Sequence, residues 1–275
     1  MSRIETRDGT KLYIKTWGEG RPVVLMHGWP LSADSWDAVS LALAQNGFKA
    51  IAYDRRGFGR SEQPWRGYNY DTFADDLADV MKECGAENDA TLIGFSMGGG
   101  EVARYMSRHG GRGVRSVGLV SAVVPYMLKD DTNPDGVPQS TFDQMTAEMK
   151  KDRAAFFQSF FKEFYGQGIV SHPVSQAVID SSWNTAMMAG LHPTLAAAQA
   201  FATTDFRPDL PAFTVPTLVI HGTEDATVPI DATARVVADL VPTARLIEYH
   251  GSAHGLFATD QDRLVADILA FVREA

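Results

Sequence analysis

The sequence predicts an α/β fold: a mostly parallel sheet covered by helices on both faces, interrupted by an inserted helical cap. Three observations predict it. Apolar runs of strand length alternate with stretches of helical period, two alternating segments flank a turn near the N-terminus, and the alternation lapses over one long stretch. Asp8-Gly9-Thr10 lies between the two alternating segments and is a hairpin signal. Apolar runs follow at Pro22 to Met26, Phe48 to Tyr53, Ala90 to Phe95 and Ser116 to Ala122, then late in the chain at Thr217 to His221 and Arg245 to Tyr249. Strands that are apolar throughout are buried on both faces, the signature of a parallel sheet. Phe73, Leu77, Val80, Met81 and Cys84 sit at helix-face spacing, as do Leu264, Val265, Ile268, Leu269 and Val272.

From about Pro125 to Phe213 helical patterns follow one another without a convincing strand. The expected organisation is therefore a core of residues 1–124 and 214–275, with residues 125–213 as the cap. That third of the chain holds 12 of the 28 aromatic residues, an excess that asks for a purpose beyond ordinary packing. Phe156, Phe157, Phe160, Phe161, Phe164 and Tyr165 are too many for one helix face, so some should line a substrate pocket while the rest pack cap onto sheet.

The chain has 275 residues with 25 Lys and Arg against 34 Asp and Glu, a net charge of −9. A basic footprint is what nucleic acid or an anionic membrane requires, so neither is an expected partner. No stretch approaches the length of a membrane span, and the N-terminus lacks the apolar run of a signal peptide. The expected address is the cytoplasm. The single cysteine, Cys84, excludes an internal disulfide and is expected to be a buried spacer on a helix face. The sequence leaves a homo-oligomer open.

Gly94-Phe95-Ser96-Met97-Gly98 follows one apolar run directly and precedes a helical stretch, Gly99 to His109. This is the context a nucleophile elbow requires, because a turn so sharp forces strained backbone angles on the serine and leaves no room for side chains two residues away. Ser96 is then the candidate nucleophile. A serine hydroxyl is weak at neutral pH and needs a base, and that base needs an orienting carboxylate. His254, in the loop between the last strand and the last helix, is the candidate base. His27, His221 and His250 sit on or beside strands, where buttressing is the commoner duty, and His109, His172 and His192 resemble helix-end or cap-surface residues. Glu224 and Asp225 both leave the carboxyl end of the strand at Thr217 to His221. Asp225 is preferred, with helix capping as the alternative duty of either acid. A developing oxyanion needs amide donors, each contributing roughly 3 to 4 kcal/mol. Met97 N–H is one candidate, and Trp29 the other, because Pro30 has no N–H to offer.

With HGWP at 27 to 30, YDRRGFGRS at 53 to 61, GFSMGGGEVARY at 94 to 105, VIHGTEDATVPID at 219 to 231 and HGLF at 254 to 257, the chain resembles the α/β-hydrolases. The likeness is to their cofactor-free (non-heme) haloperoxidase and aryl esterase branch, and residues 133–138 are similar to the related γ-lactamases. The resemblance implies the α/β-hydrolase fold, a nucleophile at Ser96, an acid at Asp225, a base at His254 and oxyanion amides at Trp29 and Met97. It implies no cofactor and no metal, and the sequence has no HExxH, Cys–His cluster or CxxCH. The implied substrates are small esters, aryl or short-acyl, with lactones or γ-lactams as alternatives on the same residues. Pro30 after Trp29 resembles the members competent in perhydrolysis, in which peroxide replaces water and a peracid leaves to oxidise halide. Haloalkane dehalogenation would want an aspartate where Ser96 stands, and a non-enzymatic ligand receptor is the rival from another class. Asp54 to Ser61 is read as a structural loop, without a phosphate-cradling role.

Overall fold

In the computed structural model, which describes residues 2–168 and 170–275, the strands are β1 (Ser2–Glu5), β2 (Lys11–Trp17), β3 (Arg21–Met26), β4 (Phe48–Tyr53), β5 (Ala90–Phe95), β6 (Val114–Val120), β7 (Thr217–Gly222) and β8 (Ala244–Tyr249). Among the described residues they form one eight-stranded sheet in the order β1-β2-β4-β3-β5-β6-β7-β8. β1, β2 and β4 pair antiparallel, and every pair from β4 to β8 is parallel. β5 and β7 are buried at every residue, as their largely apolar sequences favour. β6 ends two residues before the expected Ala122, because Ser121 turns to a φ of 44° and breaks the extended backbone.

The helices of the sheet layer are α1 (Asp37–Gln45), α2 (Tyr70–Glu83) and α3 (Met97–Arg108). The chain moves one way along the sheet from β3 to β4, then reverses past β3 to reach β5. Right-handed crossovers therefore put α1 on one face and α2 with α3 on the other. The reversal creates a crevice between the carboxyl ends of β3 and β5, the place where open parallel sheets carry ligands. α2 shows why periodicity found it: Phe73, Leu77, Val80 and Met81 are all buried, and Asn69 caps it by accepting from Thr72 N–H at 3.0 Å. α1 offers no clean stripe, since Val39 and Leu43 are buried while Leu41 is exposed, and periodicity gives no sign of it. Cys84 departs from the expectation. α2 stops at Glu83, so the cysteine is a half-buried residue closing the helix rather than a spacer on its face; burial pushes its thiol up, away from the reactive thiolate.

Between β6 and β7 the chain runs through α4 (Gln139–Phe164), α5 (Gln176–Met188), α6 (Leu191–Thr203) and a 3-10 turn at Arg207–Ala212, and its strand pairing among the described residues is two isolated bridges, Leu128 with Val137 and Asp130 with Asn133. α4 is broken at Asp152, whose backbone is extended (φ −157°, ψ 87°) and whose carboxylate accepts from Ala155 N–H at 3.0 Å. That bond caps the second half of α4, which carries the ring cluster. After β7 come α7 (Ala234–Leu240), β8, α8 (Leu256–Thr259) and α9 (Gln261–Glu274). α9 packs back against α1, its buried residues Leu264, Ile268 and Val272 coming from the expected stripe.

Candidate active site

Met26 on β3 lies beside Gly94 on β5 in the parallel register, so the loops leaving the two strands begin at one level across the crevice. Ser96 joins β5 to α3 with φ 53° and ψ −119°, a strained conformation for a residue with a side chain. The glycines permit it: a Cβ on Gly94 would fall 2.3 Å from the carbonyl oxygen of Gly98, and one on Gly98 would fall 2.4 Å from that of Met26. The loop after β3 presses on the same turn, since a Cβ on Gly28 would lie 2.9 Å from the Ser96 Cβ. Among the described residues neither Trp29 N–H nor Met97 N–H has a hydrogen-bond acceptor, and Met97 opens α3, where the helix dipole favours negative charge.

His254 comes from the loop between β8 and α8, and Asp225 from the loop leaving β7. The structure brings both to Ser96. His254 Nε2 is 2.9 Å from Ser96 Oγ, and His254 Nδ1 is 2.6 Å from Asp225 Oδ2. An ionised carboxylate only accepts, so Nδ1 carries the proton and Nε2 presents its lone pair to the Ser96 hydroxyl. The second Asp225 oxygen accepts from Thr227 N–H at 3.0 Å and Val228 N–H at 2.8 Å. Burial alone would raise the Asp225 carboxyl, but the His254 and His221 rings beside it outweigh burial and hold the group well below the usual carboxylate range. Glu224, the other acid considered, is exposed and turned to solvent. Neither acid caps a helix.

The loop carrying Trp29 is held from behind. Arg55 donates to the His27 carbonyl at 2.8 Å and to Glu101 Oε2 at 2.8 Å, and its backbone N–H donates to His27 Nε2 at 2.9 Å. Glu101 lies on α3, also accepts from Tyr53, and is wholly buried. A buried ion pair thus ties the nucleophile's helix to the loop opposite it. Burial, with the nearby Arg55 charge, keeps His27 well below its ordinary value, so its ring stays neutral. Asp54 accepts from Ala33 N–H, Arg60 N–H and the Arg60 side chain, and Arg56 pairs with Asp76 at 2.6 Å. These contacts fit the structural reading of Asp54 to Ser61. What the sequence reading missed is Glu101; an acid directly after three glycines on a buried helix was the available signal.

Above Ser96 lies a cavity of about 290 Å³ walled by Trp29, Phe156, Phe160, Phe201, Met145 and Val228, with Ser96 in its lining. The ring cluster divides as the crowding of one face implied. Phe156 and Phe160 face the cavity, whereas Phe157, Phe161, Phe164 and Tyr165 are fully buried. Trp29 joins the two groups, packing on Phe157 and Phe160 at centroid distances of 5.5 and 5.4 Å and donating from Nε1 to Thr194 O of α6 at 3.0 Å. Phe164 packs edge-on against the His254 ring at 4.8 Å, and its carbonyl accepts from Gly255 N–H at 2.9 Å. The inserted helices therefore hold both the candidate base and a candidate oxyanion residue.

This fold, with a strained serine at the sheet's switch point, a histidine–carboxylate pair behind it and a helical insertion over it, defines a class. The chain belongs to the α/β-hydrolase fold family, whose model matches residues 21–261. Within it the chain falls in the branch of the non-heme haloperoxidases and an esterase/perhydrolase. It is 43% identical to a non-heme chloroperoxidase from Kitasatospora aureofaciens, over the whole of both chains. It is 39% identical to a bifunctional esterase/perhydrolase from Acinetobacter calcoaceticus, covering 99% of this chain and 100% of that one. Its structure superposes on the crystal structure of a bromoperoxidase from Bacillus anthracis with a TM-score of 0.94, at 39% identity over 99% of this chain and 100% of the other. Among the described residues no helix is long and apolar enough to cross a membrane.

Proposed function

We propose that the protein is a serine esterase of small, largely apolar carboxylic esters, with perhydrolysis as a second outcome of the same acyl-enzyme. Ser96 Oγ attacks the ester carbonyl while His254 Nε2 takes its proton, and Asp225 stabilises the imidazolium that results. Trp29 and Met97 N–H receive the oxyanion. His254 then returns the proton to the departing alcohol and draws one from water, whose oxygen attacks the acyl carbon; that proton passes to Ser96 Oγ as the acyl–Ser96 bond breaks, giving the acid and the free hydroxyl. Hydrogen peroxide in place of that water gives the peracid and the same free hydroxyl.

The observation that carries this reading is the unbroken chain of short contacts from Ser96 through His254 to Asp225, opening on an aromatic cavity. The branch supports both outcomes, since one relative is an esterase/perhydrolase by name. Residues 125–213 act in this reading as a cap whose rings select the acyl group. The test is Ser96→Ala, which should abolish hydrolysis of p-nitrophenyl acetate and labelling by an active-site phosphonate. Turnover surviving in that variant would reject the assignment.

A further inference from the structure

We propose that His221 is a positioning residue for this reaction: a second imidazole that holds the Asp225 carboxylate ionised and oriented toward His254. The inference rests on the roles proposed for Ser96, His254 and Asp225. His221 is the penultimate residue of β7 and is wholly buried. Its Nε2 lies 2.8 Å from the carbonyl oxygen of Val228 and 3.2 Å from Asp225 Oδ2. The carbonyl is an acceptor only, so Nε2 carries the proton and donates it to Val228, and that N–H stands beside the carboxylate oxygen. Nδ1 is buried without a hydrogen-bond partner among the described residues. A lone pair there costs less than an unpaired N–H, which fixes the same tautomer from the other side of the ring.

The arrangement fills the carboxylate. Oδ1 accepts from Thr227 N–H and Val228 N–H, and Oδ2 from His254, with the His221 Nε2–H 3.2 Å from the same oxygen. Val228 donates to Asp225 through its N–H and accepts from His221 through its carbonyl, so residues 222–228 close around the acid as a small ring. Without the His221 N–H, Oδ2 would face His254 alone, and only the two backbone N–H groups on Oδ1 would set the plane of the carboxylate. The titratable groups facing Asp225 are His221 from β7 and His254 from the loop after β8. Beside His221, at the paired position on β8, stands Glu248, which Arg235 engages at 2.8 and 2.9 Å.

Three measurements test this. In the wild-type protein, nitrogen NMR of labelled histidine should find His221 protonated at Nε2; a proton on Nδ1 would overturn the proposal whether or not any variant folds. His221→Phe fills the space without a donor and should lower kcat roughly ten- to a hundred-fold, the worth of a hydrogen bond to a charged group, with KM little changed. The acid limb of its kcat/KM profile should move to higher pH, because Asp225, relieved of a donor, holds the His254 imidazolium more tightly. His221→Gln can place an amide N–H where Nε2 stood and should restore kcat and the limb. Equal damage in both variants, or a His221→Phe enzyme with wild-type kcat and limb, would refute the positioning role. Phosphonate labelling of wild-type Ser96 separates the two levels: no labelling defeats the underlying reading, whereas labelling with an unaffected His221→Phe defeats this inference alone.

Discussion

Replacing Asp225 with asparagine is the most informative single change, because the structure dictates which way the new amide must face. Thr227 N–H and Val228 N–H point at Oδ1 from 3.0 and 2.8 Å, so the amide oxygen must take that position and the amide nitrogen the position of Oδ2. There it meets His254 Nδ1, 2.6 Å away in the wild type, and two N–H groups cannot share that gap. His254 relieves the clash by moving its proton to Nε2. The ring then presents N–H rather than a lone pair to Ser96, and the hydroxyl loses its base. Loss of the correct tautomer in other enzymes of this type costs ~10⁴ in kcat, which is about 5.4 kcal/mol of barrier. The fold should survive, since size and the two amide contacts to Oδ1 are kept. The assay is kcat on p-nitrophenyl acetate, with circular dichroism to verify folding and histidine NMR to read the tautomer. A folded variant within tenfold of wild-type kcat, or one whose His254 keeps its proton on Nδ1, would refute the reasoning. Glu224→Gln should match the wild type throughout, because Glu224 faces solvent.

Gly98→Ala should lose about 1 to 3 kcal/mol of stability or fail to fold, since its Cβ would meet the Met26 carbonyl oxygen, a backbone atom with nowhere to go; a melting temperature equal to wild type would contradict this. Phe161→Ala should cost about 3 to 5 kcal/mol in a denaturant melt and leave acyl-chain preference alone, whereas Phe160→Ala should cost less and raise relative kcat/KM for longer acyl esters. The reverse pattern would mean that the cavity wall has been misassigned. His27 has a folded-state value well below its unfolded one, so its contribution to stability is complete above about pH 6.5 and is lost on acidification, as the unfolded chain takes a proton that the folded chain refuses. Relative to His27→Gln, in which the other titrating groups cancel, wild-type stability should fall by about 1.4 kcal/mol per pH unit below that point, measured by urea unfolding. A difference that stays constant or grows with acid would reverse the sign.

The order of the elements was legible in the sequence, as were the three residues, Ser96, His254 and Asp225, that the structure brings together, because each rests on local rules. An unbroken apolar run such as Ala90 to Phe95 admits only a buried strand or buried helix, and the glycines around Ser96 admit only a tight turn. Asp225 was preferred to Glu224 from chain order, and the structure buries the former and exposes the latter. Trp29 followed from the missing N–H of Pro30. Local rules were weaker where a stripe was broken, as in α1, or where a helix ended before its apolar pattern did, as at Cys84.

Tertiary structure alone decided which charged and aromatic residues act together. Glu101 reaches Arg55 only because the strand order sets β4 next to β3 and runs α3 beneath both loops. His221 meets Asp225 because the loop after β7 doubles back until Val228 closes on the strand. Phe156 and Phe160 face the cavity while Phe157 and Phe161 do not because the break at Asp152 sets the rotation of the second half of α4. Sequence period fixes which residues share a face, through bond geometry repeated every few residues; what that face meets depends on how separate elements and loops come together, and no local periodicity encodes that.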